Sequence, residues 1–295
     1  MTGTLILQSA LAGVTNGSVY ALIGLGLAVV FRGTRIINAM QGEFALIGGL
    51  MAYVLLERAG LPLPLAFLCG TLAGGALGWA VEWLLVRPMR RRGASEEGYL
   101  LLTLGIAFAI SAGALYCFGR DARILPGIGG EGSKVFFDAA IRVHAIWLMV
   151  ISAAVMLALK VFYSRTLIGL SMMASSIDEE GAATTGINVP RMRSLTFLLG
   201  GLVGGLAGVL VSPLTTIQYE MGLLLTLKGF AAAILGGLTN PFGAVVGGLL
   251  LGIVESLAVL TVSSGYKDVI AMTILIVIMI LMPDGILGRR VRRGG

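Results

Sequence analysis

Charge is scarce in this chain. Only 12% of its 295 residues are Asp, Glu, Lys or Arg, against about 25% in soluble globular domains, while 57% are hydrophobic and the mean hydropathy is +0.96. Histidine occurs once, at His144, and cysteine twice, at Cys69 and Cys117, each inside an apolar run. One histidine and two distant cysteines supply no cluster at metal-ligand spacing, so no metal site is expected, and the cysteines read as small buried hydrophobes. His144 reads as an interface residue beside a helix start. No acid, base and nucleophile converge in the sequence, so no catalytic residue is assigned. A G-x-x-x-x-G-K-[ST] phosphate loop is also missing.

What fills the chain instead is uncharged sequence. Met1 to Phe31 contains no ionisable side chain of the four charged types, and further such runs cover 59–81, 98–119, 194–219 and 229–254. Each exceeds the roughly 20 helical residues that cross a hydrocarbon layer, and all are far longer than the roughly 10 of a membrane strand. The expected fold is therefore all-α, a polytopic transmembrane bundle of about eight to ten spans forming one domain over 1–295. The spans are placed at 5–31, 36–56, 61–82, 99–118, 143–162, 193–213, 222–238, 241–262 and 268–284. The first is too long and too uncharged at its start for a cleavable signal, so it reads as a retained span. With Arg87, Arg90, Arg91 and Arg92 inside, alternation puts 14 Lys and Arg inside and 6 outside, counting Lys228 in neither. That distribution predicts a periplasmic N-terminus, a cytoplasmic C-terminus and a cytoplasmic loop near 163–192. It also accounts for the net charge of +6 without nucleic acid.

Glycine supplies 44 residues, many four apart: Gly70, Gly74 and Gly78; Gly200, Gly204 and Gly208; Gly243 and Gly247; Gly248 and Gly252. Such spacing lines one helix face, where missing side chains let backbones pack closely in lipid. Two apolar stretches are broken by polar and helix-breaking residues, at Ile37 to Glu43 and at Gly236 to Gly243. Broken helices in corresponding halves mark transporter binding regions and suggest an inverted repeat. Asn38, Gln41, Glu43, Thr239 and Asn240 at these breaks, with the intramembrane Lys228 and Glu255, are the candidate translocation-path residues. The alternative is that they lock helices together, since charge inside a span requires a cavity or a partner. Glu82, beside Arg87 at a span end, reads as interfacial.

In the loop, Asp178 is suited to cap a short helix, Glu179 and Glu180 complement its dipole, and Gly186 with Pro190 ends it. Three ordered stretches resemble the permease subunits of branched-chain amino acid ABC transporters, of the LivH type. The first runs from Asn16-Gly17-Ser18-Val19-Tyr20-Ala21-Leu22 through Thr34 to Glu43, with Gln41 where the family has His. The second runs from Arg165 to Val189. Its Glu180-Gly181-Ala182 and Gly186 resemble the importer coupling motif, with Gly181 in place of the first Ala. The third comprises Lys228-Gly229-Phe230, the following glycines and Met282-Pro283-Asp284-Gly285. The resemblance implies that Asp178, Glu179, Glu180, Ala182 and Gly186 couple to an ATPase. It also implies no cofactor in this chain, with ATP and magnesium on two cytoplasmic ATP-binding partners. A second related permease, a periplasmic solute-binding protein and surrounding membrane lipid complete the expected partners, in a bacterial inner membrane. An ion-coupled secondary transporter is the competing reading; it needs no docking loop.

Overall fold

The computed structural model describes residues 2–130, 132–136, 139–238 and 240–261, with isolated positions at 269, 272, 273, 276, 277, 280, 285 and 286. The expected ninth span apart from those positions, Thr239, Lys267 and the basic tail lie outside the described residues. Helix α1 (Thr2–Thr34) is followed by α2 (Gln41–Glu57) and α3 (Leu63–Val81). A π-helical turn, Glu82–Val86, then leads into α4 (Arg87–Arg91). Pro88 explains that turn: it has no N–H for the Leu84 carbonyl, and the chain widens so that Arg87 N–H bonds Glu82. Helix α5 (Glu96–Phe118) begins at Ser95, whose hydroxyl accepts from Gly98 N–H at 3.3 Å. Strands β1 (Ser133–Phe136) and β2 (Ala139–Arg142) form a hairpin pairing Ser133 with Arg142, a small departure from an all-helical chain. Then come α6 (Val143–Arg165), α7 (Leu167–Ile177), α8 (Glu179–Thr184), α9 (Val189–Val211), α10 (Met221–Gly236) and α11 (Pro241–Thr261).

Six helical segments among the described residues are long and apolar enough to cross a membrane: α1, Leu63–Arg91, α5, α6, α9 and α11. Helices α2 and α10, with 17 and 16 residues, are shorter. In α5 and α6 only 17% of the apolar window is buried, so residues such as Leu101, Phe108 and Leu157 are left for lipid. Helices α1 and α9 are the buried centre. Glycine sets their neighbours: α1 lies along α11, where a Cβ on Gly13 would come within 2.7 Å of Ile253 Cα. On Gly74 of α3 it would meet Gly201 O of α9 at 2.6 Å. Backbone contact this close substitutes for the hydrophobic drive that lipid cannot provide. Helix α9 carries two glycine faces. Gly201 and Gly205 meet α3, whereas Gly200, Gly204 and Gly208 meet α1 and α2.

The directions of these helices follow from the contacts. Helices α1 and α9 are antiparallel, with Gly26 by Gly200 and Gly33 by Thr196. Helix α2 runs parallel to α9, with Gln41 by Gly200 and Gly49 by Ser212, and α10 runs parallel to α1, with Tyr20 by Lys228 and Gly24 by Ala232. Hence α2 and α10 run in opposite directions, and their first turns meet inside the bundle. The 35–40 segment enters from one end and 212–220 from the other. An inverted arrangement is present, but the counterpart of the 37–43 break is 212–220 and not 236–243. The latter connects two antiparallel neighbours, α10 and α11, at the bundle edge.

Candidate functional site

The first break is built by local hydrogen bonds that release α1 from its helix. Thr34 Oγ1 donates to Val30 O at 2.7 Å and accepts from Ile36 N–H at 3.2 Å, while Arg35 takes a left-handed φ of +58°. The chain then turns back inward. Asn38 Oδ1 accepts from Met40 N–H at 3.2 Å, its Nδ2 donates to Gln41 Oε1 at 3.2 Å, and Gln41 Nε2 donates to Gly200 O at 2.9 Å. Gln41 also lies against Gly26, eight residues before the end of α1, or about 12 Å along its axis. Helix α2 thus starts within the bundle, where its first N–H groups have no water. Other helices answer these groups and the chain just before them: Thr226 Oγ1 of α10 accepts from Gly42 N–H at 2.8 Å, and Thr103 Oγ1 of α5 accepts from Ala39 N–H, ahead of the helix, at 3.1 Å.

Glu43 sits at this junction, fully buried. Its Oε1 accepts from Ser111 Oγ at 3.3 Å, and Oε2 has no hydrogen-bond partner among the described residues. A Cβ on Gly222 in the first turn of α10 would collide with the Glu43 carboxylate. Two helix starts therefore converge on one acid, each contributing the positive end of its dipole. Asn38, Gln41 and Glu43 form one cluster, and all three are fully buried.

Lys228 and Glu255 form a second cluster. Lys228 Nζ lies 2.9 Å from Glu255 Oε1 and donates to Tyr20 OH at 3.1 Å, and Tyr20 OH donates to Glu255 Oε1 at 3.3 Å. One helix each, α1, α10 and α11, supplies the three groups. Lys228 and Tyr20 floor a cavity of about 250 Å³ whose polar rim includes Asn16, Gln218 and Glu220. At that rim Tyr219 donates its hydroxyl to Glu220 at 2.6 Å, which holds the phenol proton and raises the Tyr219 pKa above its ordinary value. Asn240 belongs to neither cluster. It starts α11, accepting from Phe242 N–H at 3.1 Å, and borders a different cavity beside Arg32 and Lys160.

At the end bearing Arg87 to Arg92, Asp178 Oδ1 accepts from Gly181 N–H at 3.0 Å and caps α8. The helix closes with Ile187 N–H on Ala182 O and Gly186 N–H on Ala183 O, with Gly186 at φ +87°. That pair of bonds around a left-handed glycine is the Schellman arrangement. The expected coupling residues divide by direction. Asp178, Glu180 and Gly186 are exposed, whereas Ala182 is 5% exposed and packs within its own chain. Glu179 also turns inward, pairing with Arg90 and, at 3.6 Å, with Arg193. Ala183 and Thr184, exposed on the same helix, complete the outward surface.

Several contributors were not singled out from sequence. Thr103, Ser111, Gly222 and Thr226 complete the Glu43 cluster, and Tyr20 the Lys228 cluster; only α10's opening glycine hints at the close contact. His144 is a structural residue. Its Nδ1 accepts from Ile128 N–H at 3.0 Å, which leaves the proton on Nε2 to donate to Leu210 O at 2.7 Å. Glu82 is buried rather than interfacial, accepting from Ser194 with Arg87 Nε 3.6 Å away.

The chain matches the family model described as branched-chain amino acid transport system / permease component over residues 9–280. It is 31% identical to the high-affinity branched-chain amino acid transport system permease protein LivH of Salmonella typhimurium, covering 96% of each chain. It is 32% identical to the corresponding protein BraD of Pseudomonas aeruginosa, again over 96% of each. The autoinducer 2 import system permease protein LsrC of Escherichia coli is 28% identical over 90% of this chain and 76% of its own. Among solved structures, PsaBC from Streptococcus pneumoniae in complex with Fab shares the fold, with a TM-score of 0.50 at 16% identity over 95% of this chain and 92% of that one. Membrane-spanning helices, half-helices meeting inside the bundle and a match over nearly the whole length make this multi-pass chain a member of the branched-chain amino acid transport permease family.

Proposed function

We propose that this chain is the membrane-spanning subunit of an ATP-driven importer of branched-chain amino acids or a related small polar solute such as an amide, urea or an aromatic acid. It works in a bacterial inner membrane with its N-terminus periplasmic and its C-terminus cytoplasmic. A second related permease completes the pore, a periplasmic binding protein delivers solute, and two cytoplasmic subunits bind ATP and magnesium. The observation that carries this reading is α8, a capped and exposed short helix at the arginine-rich end of a chain belonging to a permease family. An ion-coupled carrier has no use for such a helix. Asn38, Gln41 and Glu43 buttress the route as the joint between two half-helices, and Lys228 borders it.

The test is uptake by the complex in proteoliposomes, with the binding protein outside and ATP inside. Leucine, urea and an aliphatic amide are compared. Uptake of at least one solute is expected to require ATP and to be indifferent to an imposed proton or sodium gradient. Gradient-driven uptake without ATP would overturn the proposal in favour of a secondary transporter.

A further inference from the structure

A cavity of about 380 Å³ lies between the last turns of α1 and α6 and the start of α11, bordered by α7. Two cations line it: Arg32, two residues before the end of α1, and Lys160 of α6. Neither makes an ion pair among the described residues, and no Asp or Glu is among the described residues lining the cavity. Each leans instead on an aromatic ring. Arg32 Cζ is 6.0 Å from the centre of Tyr163, and Lys160 Nζ is 4.7 Å from that of Phe242. The rest of the lining sorts by depth. Ser164 and Asn240 sit with the charges, while Leu25, seven residues before Arg32, and Met156, four before Lys160, form an apolar wall deeper in the bundle. At 1.5 Å per residue the wall extends about 6 to 10 Å below the cations. Lys160 and Phe242 are exposed, so the cavity opens on the outer surface of the bundle.

We propose that this cavity binds one anionic phospholipid, its phosphate held between Arg32 and Lys160 and an acyl chain laid against the apolar wall. Two uncompensated cations at a membrane boundary attract an anion, and basic pockets between spans at the basic end of a bundle suit anionic headgroups. The depth order decides the ligand. A free phosphate or sugar phosphate gains nothing from Leu25 and Met156, whereas a lipid has its charge and its chain in the order that the wall presents them.

The test compares the protein purified in mild detergent and titrated with phosphatidylglycerol or phosphatidylcholine, with bound lipid read by native mass spectrometry. Each cation near the surface contributes about five-fold in affinity, so Arg32→Gln/Lys160→Gln should weaken phosphatidylglycerol binding about thirty-fold. The charge-keeping pair Arg32→Lys/Lys160→Arg should bind within a few-fold of the parent, and Lys160→Gln alone, at an exposed position, should lose about five-fold. A control pair, Arg91→Gln/Arg92→Gln, keeps the cavity and should leave the bound lipid unchanged. Equal loss in the control, or retention of lipid by the Gln pair, would overturn the site. Displacement of phosphatidylglycerol by millimolar glycerol phosphate would overturn the lipid as its ligand.

Discussion

Lys228 and Glu255 lie 27 positions apart, and Tyr20 enters from the opposite end of the chain. Neither ion is tolerable alone: removing one partner of a buried pair costs roughly 3–5 kcal/mol because the survivor stays uncompensated, whereas replacing both by apolar or neutral groups is often neutral. Lys228→Met should therefore lower the melting temperature sharply, and Lys228→Met/Glu255→Gln should recover most of the loss. Additive destabilisation in the double variant would show that the two do not depend on each other. Transport by the double variant then separates the two roles: a parental rate makes the cluster a lock between α1, α10 and α11, and a lost rate with restored stability makes it part of the route. At this scale the sequence exposed the cost but not the answer. An ionisable residue in an apolar run announces that it needs a partner, and Glu43, Lys228 and Glu255 were found that way. Nothing in the run names the partner, since Tyr20, Ser111 and Gly222 reach these groups only through the fold.

Among the elements, α8 turns one face to its own chain and one outward. Ala183→Trp on the outward face should leave membrane insertion and melting temperature unchanged and weaken association with the ATP-binding subunits by at least ten-fold. Ala182→Trp should instead destabilise the loop by roughly 1–3 kcal/mol through overpacking. Undiminished association and coupled ATP hydrolysis in Ala183→Trp would remove α8 from the docking surface. The cap, the acidic first turn and the closing glycine of α8 could be read directly, because those signals are local. The 37–43 break was legible for the same reason. Its counterpart was not: Ser212 to Glu220 is polar and contains Pro213, as any loop outside a membrane does, and composition does not tell whether such a segment returns inward. Local signals likewise could not choose between the two glycine faces of α9, since both have four-residue spacing. The β1–β2 hairpin is too short to stand out from its loop.

For the whole molecule, contacts fix two ends irrespective of any membrane. Arg123 pairs with Ile217 and His144 bonds Leu210 at one end, and Arg90 meets Glu179 at the other. In the orientation proposed from the charge bias, the second end is the cytoplasmic one. In a background lacking Cys69 and Cys117, Ser133→Cys should react with an impermeant maleimide added to intact spheroplasts and Arg92→Cys should not. The opposite pattern would reverse the orientation. The placement of α1 bears on the order in which this chain is made. Its glycine faces are closed by α9, α10 and α11, all made after it, so α1 has to wait for residues near Gly252. At 5–20 residues per second that delay is on the order of 10–40 s. During it α1 must be stable in lipid by itself, which 31 residues without a charge allow. Its few polar groups find temporary bonds on their own helix, as Thr15 and Ser18 still do with Leu11 and Val14. A helix that ends at the buried centre of the bundle is thus composed to persist in lipid before its neighbours exist.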